Sequence, residues 1–143
     1  MLAGFVITSS ADVVTLYADQ IIDVGTLTVV VDGSNLVVTY NSTDPWVLGR
    51  NTPLCRNCST NQECPWGRFP YAPKDAVDGV YTIPLVDFSG VTTLYIAAQA
   101  EVTNPTEIDP VTLLPREESV WAEGDEIRPG KNWAMYFEFD LVD

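Results

Sequence analysis

The sequence predicts an all-β domain, an antiparallel β-sandwich of immunoglobulin-like or jelly-roll-like character. Three observations point there. β-branched and aromatic runs, broken by Gly, Pro, Asn and Asp, recur along the chain. No long segment places apolar residues at the i, i+3, i+4, i+7 spacing of an amphipathic helix. Strands at such intervals, with no helices between them, favour an antiparallel sandwich over an α/β sheet.

Taken in order, DVVTLYA (12–18) reads as a short strand. GTLTVVVDGSNLVVTYN (25–41) is the clearest unit, because its two β-rich runs flank Asp32-Gly33-Ser34-Asn35, a turn that favours positive φ. Residues 43–78 then read as a long loop carrying Pro45, Pro53, Pro65, Pro70 and Pro73, and loops of that length are usually functional or tied down. DGVYTIPLVDF (78–88) returns to strand, with Pro84 favouring an edge or a strand end. TTLYIAAQAEVT (92–103) is apolar enough to be central. Residues 104–131, with Pro105, Pro110, Pro115 and Pro129, read as a second, acidic loop. GKNWAMYFEFDLV (130–142) is a strong last strand. Trp133, Met135, Phe137, Phe139 and Leu141 share one face, with Glu138 and Asp140 on a wet one.

The chain has 143 residues, enough for one domain to bury a core without help from a metal or disulfide. It carries 20 Asp+Glu against 7 Lys+Arg, a net charge of −13, and no Lys or Arg precedes Arg50. Such a field repels phosphate backbones and anionic bilayers, which excludes nucleic acid as a partner. No apolar run approaches the roughly 20 residues of a spanning helix, so membrane insertion is not expected. Residues 1–11 have too short an apolar part, and no basic start, to read as a signal peptide, so the chain reads as mature.

Cys55, Cys58 and Cys64 fall within ten residues. The set is a poor zinc site without His, and one local disulfide is expected, with the third Cys free or paired across chains. Sequons at Asn41 and Asn57, beside clustered cysteines, lean towards a secreted glycoprotein.

TLYADQIIDVGTLTV (15–29), WVLG (46–49), GRFPY (67–71), YTIPL (81–85), LYIAAQA (94–100), SVWAEG (119–124) and GKNWAMYF (130–137) follow one another along nearly the whole chain. This ordered set resembles a recurrent secreted microbial β-domain of unassigned function. The resemblance implies an all-β extracellular module and supplies no activity. Members of that family tend to read AAHA where this chain has Ala97-Ala98-Gln99-Ala100, so no role for a His carries over. The cysteine cluster is a further departure.

With no His, Ser-His-Asp and Cys-His catalysis are impossible, and no other catalytic constellation emerges; the chain is expected not to be an enzyme. Glu118, Glu123, Asp125 and Glu126, around the turn at Gly124, are candidate calcium ligands, because calcium takes six to eight oxygens. Trp46, Trp66, Tyr71 and Trp121 are candidate platforms for glycans. The apolar start LAGFVITSSA suits an arm, residues 1–11, that adds to a neighbour's sheet edge. The leading expectation is therefore a non-catalytic extracellular structural module that assembles with itself into a filament, matrix or surface layer, with calcium as a stabiliser. The second is a carbohydrate-binding or adhesive module using its Trp- and Tyr-bearing loops.

Overall fold

The Asp32–Asn35 turn closes the first hairpin. Strands β1 (Ala11–Ala18), β2 (Ile22–Asp32) and β3 (Asn35–Ser42) form an antiparallel meander. Gly33 takes φ +62°, the left-handed conformation that a two-residue hairpin turn requires. The computed structural model describes residues 11–56, 78–88, 90, 92–127 and 134–141, with only the backbone described at 54–56. Ala11 pairs with Val30, so it belongs to this meander and not to an arm.

β2 begins at Ile22, three residues before the expected hairpin, because a bulge joins the two stretches. The register against β1 shifts between Leu16, which faces Gly25, and Tyr17, which faces Asp23. The extra residue, Val24, thereby keeps its side chain in the core. Gly25 sits at φ +150°, and a Cβ there would lie 2.0 Å from the Asn41 carbonyl oxygen. Only glycine lets β3 approach this closely.

Both expected loops turn out to contain strands. β4 (Val47–Arg56) lies within residues 43–78 and pairs with β6 (Thr93–Ile108). Pro53 is tolerated because β4, among the described residues, pairs along one side only, so its missing N–H breaks no ladder. Beyond the expected end of β6, Pro105 occupies a register shift between Asn104 and Ile108. There the buried Asn104 Oδ1 accepts from the Thr106 N–H at 3.0 Å and the Thr106 hydroxyl at 2.6 Å. Pro115 opens β7 (Pro115–Ala122). Prolines at edges, bulges and strand starts thus mimic a loop in the sequence. β5 (Val80–Pro84) ends at Pro84, as expected, and continues into a single 3₁₀ turn, Leu85–Phe88. β8 (Asp125–Glu126) and β9 (Met135–Asp140) complete the chain, with no α-helix among the described residues.

The strand order is β5-β3-β2-β1-β7-β6-β9-β8, with β4 on the other side of β6, and every pairing is antiparallel. β6 changes partners along its length. It pairs with β9 at residues 93–96 and with β7 from Gln99 onward, while β4 runs along its opposite edge. The sheet folds over, and its halves enclose one core in a sandwich-like arrangement. Leu16, Leu27, Val29, Leu36 and Ile83 meet Leu94, Ile96, Val102, Val120 and Phe139 there. Each large aliphatic side chain so buried contributes about 1.5–3 kcal/mol. The Tyr81 hydroxyl, from β5, donates to the Asn51 backbone carbonyl of β4 and lies 2.8 Å from Asn51 Oδ1, linking the two halves. Burial raises the Tyr81 pKa above its usual value, so this hydroxyl stays a donor across the physiological range.

The last strand follows its expected alternation with one exception. Phe137 and Phe139 are buried in the main core, and Glu138 and Asp140 are exposed. Tyr136 points the other way and is buried too, in a small second cluster with Tyr95 and Ala97, against which Trp121 and Ile127 pack.

Candidate binding surface

That second cluster borders a sheet face that carries both aromatic and hydrogen-bonding side chains. In an antiparallel sheet, directly opposed residues share a face. Thr52 on β4 opposes Gln99 on β6, Gln99 opposes Trp121 on β7, and Trp121 opposes Tyr17 on β1. These four side chains form one row across four strands, on the face opposite Leu16, Ala98 and Val120 of the core. In the next row Glu101 opposes Ser119, and Arg50 Nη2 reaches across to Glu101 Oε2 at 2.9 Å. Arg50 reaches it from a register shift in β4 between Leu48 and Asn51. Thr52, Gln99 and Trp121 of the first row and Arg50, Glu101 and Ser119 of the second line an open groove of about 400 Å³.

The Trp121 indole is held from the side. It packs on the Tyr95, Ala97 and Tyr136 cluster, in which the two tyrosine rings meet edge-on with centroids 6.0 Å apart. Its orientation is therefore set before anything binds. Trp121 is partly buried and Gln99 exposed, so one edge of the groove is flat and apolar and its floor carries hydrogen-bonding groups.

The other predicted residues fare differently. Trp46 is not a platform: it is 7% exposed, part of the main core, with the Arg116 guanidinium 5.5 Å from its ring centroid. Arg116 is itself pinned by Glu118 at 2.9 Å and Glu107 at 3.3 Å, so the indole is covered by a salt-bridged cation. Glu118 thus faces Arg116, while Glu123, Asp125 and Glu126 are exposed on the β7–β8 turn. Among the described residues no group of three or more acidic or Cys side chains is placed to hold a metal ion. Asn41 is exposed at the end of β3, and its sequon is accessible. Cys55 lies in β4, opposite Ile96. Its side chain, with Asn57, Cys58, Cys64, Trp66 and Tyr71, lies outside the described residues, as do residues 1–10 of the expected arm.

Trp121 was a candidate from the sequence; Thr52, Gln99 and Ser119, which line the groove with it, and Tyr17, which opposes it on β1, were not. Their alternation with Ala98, Ala100 and Val120 marks a two-faced sheet, yet only the strand register shows which of them align. The tip of the β6–β7 hairpin was not a candidate either. Ile108, Val111, Leu113 and Leu114 are all at least half exposed there. Asp109 organises this tip: its Oδ1 accepts from the Val111 N–H at 2.7 Å and the Thr112 N–H at 3.1 Å, and its own N–H donates to the Leu114 carbonyl at 2.9 Å.

The two N–H donors hold the Asp109 carboxyl below the usual carboxylate range. A depressed folded-state pKa stabilises the turn above the unfolded value, near 3.9, and that contribution disappears as pH falls through the folded value. In an NMR titration the amides of Val111 and Thr112 are expected to report a midpoint below about 3.9. A midpoint at or above it would remove the carboxylate from its capping role.

No family model matches the chain, and no curated protein or solved structure matches it significantly.

Proposed function

We propose that this chain is a non-catalytic extracellular structural module that assembles with copies of itself through β-strand contacts. The observation that carries the reading is the edge beside the first half of β1. Among the described residues, Ala11–Val14 pair with β2 only; the β7 side is taken up from Leu16 onward, with the Thr15 carbonyl accepting from the Glu123 N–H. Other edges are blunted: β4 by Pro53 and a bulge, β5 by its five-residue length and terminal Pro84, β8 by having two residues. The open stretch of β1, four residues with Asp12 among them, has no Pro and no bulge on its free side, carries Val13 at 66% exposure, and follows directly on the uncharged residues 1–10. Such a segment from one copy, added to the open edge of the next, repeats head to tail and does not close, which makes a fibre. Secretion is supported by the accessible Asn41 sequon and the acidic composition.

Main-chain pairing of this kind needs no ion. Light scattering of the purified chain in calcium, and again in EDTA, is expected to give the same species, larger than the 15.7 kDa monomer. A monomer in both buffers would end the assembly reading. A mass that collapses in EDTA would transfer the contact to the acidic turn at Glu123, Asp125 and Glu126.

A further inference from the structure

We infer that the groove beside Trp121 binds a neutral oligosaccharide, which makes the sheet face and not a loop the adhesive surface of the module. Sugar recognition requires two things of a protein surface. A flat aromatic must meet the C–H face of a pyranose ring, and donors and acceptors must meet its hydroxyls at the ring's edge. The groove supplies both on one rigid support. Trp121 is the platform, fixed by Tyr95 and Tyr136, and Tyr17 continues the aromatic row on the next strand. Gln99 contributes an amide with two donors and an acceptor, and Thr52 and Ser119 contribute hydroxyls that serve as either.

Spacing supports the class. Thr52, Gln99, Trp121 and Tyr17 stand on four adjacent strands, so the row spans three intervals of about 4.8 Å, roughly 14 Å in all. That length accommodates a short chain of sugar rings laid across the strands.

Charge selects among sugars. Among the described residues the one cation lining the groove is Arg50, which pairs with Glu101 at 2.9 Å. The rest of the lining is uncharged, and the chain's net charge of −13 repels carboxylated or sulfated glycans. A neutral chain meets no such barrier. This inference is independent of self-assembly: the groove lies on the face of β4, β6 and β7, whereas the assembly edge is the first half of β1.

The test is affinity electrophoresis of the full chain in native gels containing β-glucan, mannan, xylan or galactan, with polygalacturonate as an acidic comparison. Retardation by at least one neutral polysaccharide is expected. Trp121→Ala and, separately, Gln99→Ala are expected to weaken it about tenfold or more, equivalent to about 1.4 kcal/mol. Gln99 is exposed and outside the core, so its variant keeps the fold, as circular dichroism checks, even if loss of Trp121 loosens the Tyr95–Tyr136 cluster. No retardation by any neutral polysaccharide overturns the inference. So does retardation unchanged in both variants, or retardation by polygalacturonate alone.

Discussion

Replacing Phe139 with Ala is expected to destabilise the fold by about 3–5 kcal/mol, the range for deleting a large aromatic from a packed core. Phe139 is among the largest fully buried side chains, 1% exposed, and it stands opposite Leu94 where β9 joins β6. Its removal leaves a cavity where the two halves of the sheet meet, and strands hydrogen-bonded on either side cannot collapse into it readily. A domain of this size has a total stability of about 5–15 kcal/mol, so the variant is expected to sit near the threshold of folding. Glu138→Ala, one residue earlier on the wet face, is expected to change stability by less than about 0.5 kcal/mol. Urea unfolding with an unchanged slope checks the pair. Equal effects at the two positions would contradict the alternation assigned to the last strand.

Deleting residues 2–10 is expected to have the larger functional effect, abolishing assembly while leaving the fold intact. The deleted sequence includes Leu2, Phe5, Val6 and Ile7 and no charge. Burying such side chains against a neighbour contributes about 1.5–3 kcal/mol each. Strand addition contributes about 0.5–1.5 kcal/mol for each net main-chain hydrogen bond. Ordering the segment and losing rigid-body freedom oppose this by several kcal/mol, commonly about 4–15. The meander of β1, β2 and β3 starts at the Ala11–Val30 pair, and the shortened chain is expected to keep that register, which circular dichroism checks.

Much of the architecture was legible in the sequence. Period-two alternation is a direct consequence of strand geometry, and it located β1, the β2–β3 hairpin, β5, most of β6 and β9. Asp32-Gly33-Ser34-Asn35 announced its turn because few sequences tolerate positive φ. What misled was proline. Pro53, Pro105 and Pro115 read as loop residues, yet they sit on an edge, at a register shift and at a strand start, where the absent N–H costs nothing. Which edge of β4 is unpaired depends on strand order, and strand order is not written in local pattern.

The functional surfaces were legible only in part. Trp46 and Trp121 look alike in sequence, but one is sealed beneath Arg116 and the other opens on a groove. The difference arises from pairings between residues far apart in the chain, such as Thr52 with Gln99 and Gln99 with Trp121. Tyr136 likewise fell on the face expected to be wet, and tertiary packing against Tyr95 buried it. Aromatic type predicts the energy available at a position, and the register decides whether the core or a ligand receives it.

Assembly through the segment ahead of β1 predicts a different solution mass for the chain lacking residues 2–10. Light scattering is expected to give a folded monomer for the shortened chain and larger species for the full one at the same concentration. Equal, large masses for both would rule out assembly through this segment and place the contact elsewhere on the molecule.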